Sequence, residues 1–313
     1  MTFNPLTGKI IGEIAGHETD IRSVVELGNQ TFTVTDKVMR QVAGYAGSRI
    51  NSDALEAIQA LAPMDRAGKV ADYYKALGFD EYVAIDVNEK FGSIKMDLNE
   101  NLKEFYGYEK QFDLVTNNGT GEHIFDQAMV FKNMHQLTTT GGLMLHVMPF
   151  VHWENHGFYN YNPILYLDLA SANAYEVVRL SLASRWGDEI LVNVERGGIG
   201  RTQENGQRSK TGSIWGRLPG GKQLADWRNR LQIVSRKWSG EDRLNLQDFC
   251  EHIKYPGQGR QLTSAIRHLQ KNRWDNILVT ALLRKQKDKP FKNPIQGKYF
   301  QDVNDASIEA RYA

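Results

Sequence analysis

Polar residues occur where four predicted strands end, and their types suit recognition of a nucleoside. Glu26-Leu27-Gly28 closes the first strand, Asp86 the second, Asp97 the third, and Asn117 with Asn118 the fourth. In an open parallel sheet, ligands bind beyond the carboxyl ends of the strands, near the point where the strand order reverses. A glycine lets the backbone approach a ligand there. Asp86 can accept bonds from two ribose hydroxyls and Asp97 one from an adenine amino group, so the sequence predicts a nucleoside crevice along this edge.

Histidines are concentrated just beyond these strands. Five of the eight lie between positions 123 and 156, and His123, His152 and His156 fall in predicted loops at the carboxyl ends of the fourth and fifth strands. A histidine with a pKa near neutral can take a proton from a hydroxyl acceptor. We predict His156 or His152 as the general base and His123 as a further catalytic candidate. The alternative is that Glu122 and His123 only orient the helix that follows.

The loop after the fifth strand is also rich in aromatic residues. Trp153, Phe158, Tyr159 and Tyr161 could wall an acceptor pocket, exclude water or contact a positive charge through their ring faces. Ordinary packing of a long loop is the alternative. Tyr159 is predicted among the catalytic residues because its hydroxyl could hold an acceptor. Trp153, Phe158, Tyr161 and Glu122 are predicted on the substrate side.

The same region contains candidate metal ligands. Glu122, His152 and His156 carry compatible ligand atoms, but their spacing matches no established metal motif. The sequence-based prediction is therefore that the protein has no metal site.

Short apolar runs alternate with helical stretches, a pattern typical of a parallel sheet with crossover helices. Strands are predicted at 23–28, 82–86, 93–97, 112–116, 143–148, 175–182 and 276–283, with 189–194 as an extra candidate. A buried helical stripe is predicted from spacings of three and four among Ile124, Ala128, Phe131, Met134 and Leu137. Gly141-Gly142 would end that helix as a C-cap. The predicted fold class is α/β, a Rossmann-like, doubly wound and mostly parallel seven-stranded sheet with helical insertions.

Two long segments interrupt this pattern. Residues 31–80, between the first two strands, contain helical stretches at 54–61 and 67–77. Residues 183–272 contain a glycine-rich polar stretch at 197–221 and amphipathic stretches at 223–238 and 262–272. We therefore predict a Rossmann-like domain from residues 1–182 and 273–299, an inserted, mainly helical basic subdomain at 183–272, and a tail at 300–313.

Composition and charge narrow the class of protein. Cys250 is the only cysteine, which excludes an internal disulfide and a thiolate zinc cluster. Apolar stretches fall short of the roughly 18–20 residues that a membrane span needs, and the N-terminus lacks the features of a secretory signal. We expect a cytoplasmic protein without a membrane partner. Residues 201–299 hold 21 Lys and Arg against 8 Asp and Glu, which suits an anionic acceptor, a nucleic acid or a charge match within the chain.

Three motifs resemble the class I S-adenosylmethionine-dependent methyltransferases, over about residues 20–182 and the last strand. Phe112-Asp-Leu-Val115, Glu122-His-Ile-Phe-Asp126 and Gly141-Gly-Leu143 look like that family's fourth strand, Glu-His turn and glycine pair before the fifth strand. Small-molecule O-methyltransferases, such as those of quinone biosynthesis, carry a similar turn. Residues 115–175, with His156-Gly-Phe-Tyr-Asn-Tyr-Asn-Pro163, also resemble a group of bacterial methyltransferase-like proteins, some of them associated with surface-glycan modification.

The resemblance implies S-adenosylmethionine as the cofactor and assigns its neighbours. Glu26 and Gly28 would lie beside the methionine part, Asp86 at the ribose, Asp97 with Leu98 at the adenine, and Asn117 with Gly119 on the sulfonium side. The predicted cofactor set is completed by Asn29, Val87 and Asn118. Two features depart from the family pattern: residues 26–31 contain one glycine, and Asp86 follows Gly28 by 58 residues where roughly 20 are usual.

Three functions remain open on the sequence. The first, which we predict, is methyl transfer to an oxygen of a small-molecule or glycan acceptor. The second is a nucleic-acid methyltransferase that uses the basic C-terminal third; against it, the fourth strand lacks an Asn/Asp-Pro-Pro-aromatic motif and Cys250 lies far from the crevice in sequence. The third, suggested by the thin glycine loop, is a non-catalytic Rossmann-like binding protein. Association into a homodimer is also left open.

Overall fold

The computed structural model describes residues 2–45, 49–185, 189–191 and 276–295. Most of the predicted 183–272 subdomain, with its helical stretches and Cys250, lies outside the described residues, as does the 300–313 tail. Among the helices that are described, none is both long enough and apolar enough to cross a membrane.

Ten strands and seven helices follow one another along the described chain. In order they are β1 Thr2–Phe3, α1 Pro5–His17, β2 Ser23–Leu27, β3 Thr31–Phe32, α2 Asp36–Ala43, α3 Ser52–Gln59, α4 Val70–Ala76, β4 Glu81–Asp86, β5 Ile94–Lys95, α5 Leu102–Tyr106, β6 Phe112–Asn118, α6 Gln127–Leu137, β7 Thr138–Val151, α7 Pro163–Asn173, β8 Tyr175–Ser184, β9 Glu189–Leu191 and β10 Ile277–Lys285.

Eight of the strands form one sheet in the order β5-β4-β2-β6-β7-β10-β8-β9. The first five strands in this order, β5, β4, β2, β6 and β7, are mutually parallel. β10 runs antiparallel between β7 and β8, and β9 is antiparallel to β8 at the edge. The predicted fold class is therefore confirmed: the seven expected strands are present, and the extra candidate at 189–194 forms the short eighth strand.

The sheet is covered on both faces, which explains why its strands are continuous apolar runs. Because side chains alternate along a strand, Val24 and Leu114 pack with α1 to α4, whereas Val25 and Val115 pack with α5 to α7. The two cores belong to one doubly wound sheet.

The N-terminal helix α1 was not predicted, although its start is encoded locally. Asn4 accepts a bond from the backbone N–H of Thr7 at 3.0 Å, and Pro5 occupies the first turn. α2 is likewise unpredicted, and it begins after Thr35, which accepts a bond from the N–H of Val38. The helices expected at 54–61 and 67–77 are confirmed as α3 and α4, with shifted ends.

Three local predictions need correction. Gly141 and Gly142 do not cap a helix: α6 ends at Leu137, and both glycines lie inside β7, where Gly141 has φ 87°. A side chain at Gly142 would meet the carbonyl oxygen of Asp113 at 3.0 Å, so this position is small because two strands approach closely. The third strand is only two residues long, Ile94–Lys95. In the predicted helix stripe, Ala128 is exposed.

Candidate functional site

The strand order reverses between β2 and β6, and this defines the expected binding crevice. From β2 the chain continues outward to β4 and β5, and from β6 it continues the other way to β7. The two central strands are in register, with Leu27 paired to Asn117 at their carboxyl ends. Gly28 follows directly with φ 79°, and its N–H donates to the carbonyl of Ile85 at 2.7 Å. That positive φ favours glycine and turns the chain across the crevice.

Asp86, at the end of β4, is buried and already bonded to the loop that follows β2. Its Oδ2 accepts from the N–H of Asn29 at 2.9 Å, and its Oδ1 accepts from the side-chain amide of Asn88 at 2.7 Å. Val87 beside it is 57% exposed. The backbone N–H of Asn88 also donates to Oδ1, at 3.2 Å. A carboxylate has about four acceptor positions, so Asp86 anchors the loop and keeps about one of them free.

The position predicted for adenine combines apolar and polar groups. Leu98 is buried, and Phe91 is 51% exposed in a backbone conformation with φ 55°. Asp97 is half-buried, and its Oδ1 accepts from both the N–H and the side-chain amide of Asn99 at 2.9 Å. Val87 and Phe91 are large apolar side chains exposed to solvent in the loop that follows β4.

Glu26 has two tyrosine partners inside the fold. Its carboxylate is fully buried and accepts from the hydroxyls of Tyr74 at 2.9 Å and Tyr82 at 3.0 Å. Burial raises the pKa of Glu26 to about 7, against a smaller lowering by the two hydroxyl donors. Through these two hydrogen bonds, Glu26 on β2 is connected to α4 and to β4.

Gln30 connects the loop after β2 to the loop after β6, across the point where the strand order reverses (the switch point). Its buried side-chain amide donates to the carbonyl of Asn118 at 3.0 Å and to the hydroxyl of Thr120 at 3.3 Å. Its Oε1 is buried and has no hydrogen-bond partner among the described residues. Gln30 was missed from the sequence although it stands two residues after Gly28, where the family pattern would have a second glycine.

The end of β6 presents a second unpartnered polar atom. Asn117 is fully buried; its Oδ1 accepts from the N–H of Gly121 at 2.9 Å, while its Nδ2 finds no partner within the part of the chain described. Asn118 is turned toward the N-terminus, where its Oδ1 accepts from the hydroxyl of Thr7 at 3.0 Å. Gly119, with φ 64°, makes the turn between them and the following loop.

Glu122, His123 and His156 come together beyond β6. The carboxylate of Glu122 is 1% exposed, and its Oε1 lies 3.5 Å from Nε2 of His156 and 3.9 Å from Nε2 of His123. The two imidazole rings are edge to face with centroids 5.1 Å apart. Burial raises the pKa of Glu122 to about 7, and burial followed by the charge of His156 lowers the pKa of His123. We call these three residues the Glu-His-His cluster.

His152 does not join that cluster. It has φ 61°, and its Nδ1 lies 3.8 Å from the carboxylate of Glu154. The ring of Trp153 packs against that of His156, with centroids 4.9 Å apart. Its indole N–H donates to the carbonyl of Ile277 at 3.0 Å. The indole thus ties the loop to β10 and supports His156 from the side.

The other aromatic candidates lie on the α6 side of the loop. Tyr159 donates its hydroxyl to the carbonyl of Phe125 at 2.9 Å, and the buried Tyr161 donates to Oε1 of Gln127 at 2.5 Å. Phe158 is exposed and contacts Phe125 edge to face.

A cavity of about 380 Å³ lies between α6, α7 and the segment 291–294. Tyr159 and Tyr161 contribute to its wall, and Phe131, Leu169 and Phe291 make it largely apolar. A concave, mainly apolar cavity with a few hydroxyl groups is the usual form of a small-molecule pocket. Tyr159 and Tyr161, which the sequence placed in the acceptor region, thus line this cavity.

Comparison with known proteins gives similarity in structure only. No family model and no curated protein matches the sequence. The O-methyltransferase of a trans-AT polyketide synthase multienzyme from Brevibacillus brevis, solved with S-adenosylhomocysteine, is 8% identical, with 89% of this chain and 71% of that chain covered and a TM-score of 0.37. A SAM-dependent methyltransferase from Archaeoglobus fulgidus is 11% identical over 88% and 93% of the two chains, with a TM-score of 0.36. One from Thiobacillus denitrificans, with S-adenosylhomocysteine, is 12% identical over 91% and 94%, with a TM-score of 0.34.

Proposed function

We propose that the chain is an S-adenosylmethionine-dependent methyltransferase that acts on an oxygen of a small-molecule or glycan acceptor. The observation that carries the proposal is the reversal of strand order between β2 and β6, with Gly28, Asp86 and Asn117 at the carboxyl ends around it. Ligand sites of open α/β sheets form at such a point. The polar groups there suit a nucleoside.

The residues present fit both halves of the cofactor. Asp86 keeps about one acceptor position for a ribose hydroxyl, and Val87 and Phe91 offer exposed apolar surface for a base. At the other half, Asn117 has an unpartnered donor and Gln30 an unpartnered acceptor, both buried, among the described residues. A buried polar group without a partner is costly, and the carboxylate and ammonium of a methionine moiety would satisfy this pair. When bound, S-adenosylmethionine supplies an electrophilic methyl carbon on a sulfonium.

The acceptor is assigned to the other side of Gly119–Gly121. The Glu-His-His cluster lies on the turn after β6 and the loop after β7, and that same loop contributes Tyr159 and Tyr161 to the cavity between α6 and α7. A hydroxyl acceptor must lose a proton during methyl transfer. Two chemistries could assist that loss at the cluster: acceptance by an imidazole, or coordination of the hydroxyl oxygen to a metal ion.

One observation favours a different function, a non-catalytic Rossmann-like binding protein. The side chain of Gln30 crosses the switch point and bonds to Asn118 and Thr120 on the far side. If Gln30 keeps this position in solution, it occupies room that a glycine would leave open. Of the basic segment that motivated a nucleic-acid methyltransferase, the structure describes residues 276–295, so that function rests on charge alone.

Calorimetric titration of the full chain with S-adenosylhomocysteine tests the proposal. We expect saturable binding at one site, weakened at least tenfold in Asp86→Ala, since bonds to a charged acceptor are worth about 1.5–3 kcal/mol. Asp80→Asn is the matched control, because Asp80 is exposed at the opposite end of β4, and its affinity should equal that of the wild type. Absence of binding by a folded wild type would refute the proposal, and equal affinity in Asp86→Ala would refute the assigned site.

Transfer of a labelled methyl group from S-adenosylmethionine to a panel of hydroxylated small molecules and sugars tests the acceptor side. For any acceptor found, His156→Ala should lower turnover at least a hundredfold while the affinity for S-adenosylhomocysteine stays within about twofold. The opposite pattern would move His156 to the cofactor side.

A further inference from the structure

We propose that the Glu-His-His cluster binds one divalent transition-metal ion. The ligands are one carboxylate oxygen of Glu122 and one ring nitrogen each of His123 and His156, and these three atoms all lie within 4.8 Å of one another. The sequence predicts no metal site, and the metal-ligand set considered as its alternative includes His152, which the structure places beside Glu154 instead.

The distances are close to those of a coordination sphere. With metal–ligand bonds of about 2.0–2.1 Å, two ligands of a tetrahedral site lie roughly 3.3–3.4 Å apart. Nε2 of His156 is 3.5 Å from Oε1 of Glu122, and Nε2 of His123 is 3.9 Å from it. Both imidazoles are partly exposed, and their rotation would bring the three atoms onto one ion.

The burial of Glu122 points independently to a ligand. Its carboxylate is 1% exposed, and its Oε2 is buried without a hydrogen-bond partner among the residues described. Within the described part of the chain, no Lys or Arg forms an ion pair with Glu122; its ion-pair contacts there are with His123 and His156. A buried carboxylate is costly unless it is paired or coordinates a metal, so an ion in this place would remove the cost.

The backbone is arranged to bring the three ligands together. Glu122 and His123 lie on the single turn Gly121–His123, whereas His156 lies on the loop after β7. The N–H of Phe158 donates to the carbonyl of Glu122 at 2.7 Å, which joins the two segments. A side chain at Gly157 would lie 2.8 Å from Cγ of Glu122, so the close approach requires glycine there.

The donor set selects the kind of ion. Two imidazoles and a carboxylate suit zinc or ferrous iron better than magnesium or calcium, which prefer oxygen ligands. Three protein ligands leave at least one position open, as in catalytic zinc sites. Both histidines are partly exposed, so the open position is accessible. We assign this open position to an oxygen of the acceptor, an assignment that rests on the proposed function.

Metal binding can be measured on the full chain without cofactor. Protein stripped with a chelator is titrated with Zn²⁺ in competition with a chromogenic chelator, and Co²⁺ is added separately to record its visible absorption. We expect one ion per chain and the absorption of a site with nitrogen and oxygen ligands. His123→Ala and His156→Ala should each weaken Zn²⁺ binding at least tenfold, and the double variant should abolish it. His152→Ala is the matched control from the same loop and should bind Zn²⁺ like the wild type.

The outcomes separate the metal site from the proposed function. Equal Zn²⁺ binding by the wild type and the double variant, or no binding at all, would overturn the metal site even if S-adenosylhomocysteine binds. If His152→Ala loses Zn²⁺ binding and His123→Ala retains it, His152 is a ligand and the set of Glu122, His123 and His156 is wrong. Stoichiometric binding that needs His123 and His156, in a protein that fails to bind S-adenosylhomocysteine, would support the metal site and refute the methyltransferase.

Discussion

Replacing Glu26 by glutamine should change how the stability of the protein depends on pH. The wild-type carboxylate is fully buried, and burial raises its pKa from 4.5 to about 7. Among the described residues, the hydroxyls of Tyr74 and Tyr82 are its hydrogen-bond donors. Glutamine has nearly the same shape; its oxygen can accept from one hydroxyl and its amide can donate to the other. The variant therefore removes the titration and keeps the packing.

The sign follows from proton binding in the two states. Between pH 4.5 and about 7 the folded chain holds the proton of Glu26 and the unfolded chain has lost it. The free energy of unfolding contributed by this group is therefore fully present below pH 4.5, falls as the pH rises through this window, and is lost above pH 7. At about 1.4 kcal/mol for each pH unit, the loss amounts to about 3 kcal/mol.

Urea unfolding at a series of pH values from 4.5 to 8.5, with a chelator present, measures the effect. The difference between wild type and Glu26→Gln should grow in favour of the variant up to about pH 7 and then stay constant. Other groups, such as Glu122, titrate in both proteins and cancel in the difference. Glu109→Gln, which makes the same change at a carboxylate exposed to solvent, is the matched control. Parallel profiles for wild type and Glu26→Gln would show that Glu26 is not buried as described.

Three further substitutions test single contacts. Gln30→Ala removes the unpartnered Oε1 and should weaken binding of S-adenosylhomocysteine about tenfold in calorimetry; tighter binding would instead show that the side chain blocks the crevice. Gly28→Ala forces a side chain into φ 79° and should lower the free energy of unfolding by about 1–2 kcal/mol. Gly44→Ala should not, because Gly44 has φ −79° and a Cβ there would make only ordinary van der Waals contacts; equal stability of the two variants would contradict the turn. Lys285→Met removes a buried ammonium that donates to two carbonyls at the end of α6, each at 3.0 Å, and should cost about 2 kcal/mol or more in urea unfolding; an unchanged midpoint would argue against those bonds.

Local pattern was sufficient for most of the sheet. The runs that became β2, β4 and β6 could be predicted because strands covered on both faces are continuously apolar and break at glycine or polar residues. The position of Asp86 at a strand end follows from the same pattern. The error at Gly141-Gly142 has the converse reason. A glycine pair after a helical stripe looks the same in sequence whether it caps the helix or allows two strands to approach closely.

The sequence by itself thus determined the order and type of the elements around the crevice, since these depend on periodicity within ten or so residues. Only the tertiary structure decided which polar groups meet. In the folded chain, Glu26 accepts hydrogen bonds from Tyr74 and Tyr82, which are 48 and 56 residues away in sequence. It sets His156 beside Glu122 through a backbone bond that no local pattern encodes. Hydrogen-bond partners of buried polar groups are fixed by how segments pack, because each buried group must find a donor or acceptor wherever the fold supplies one.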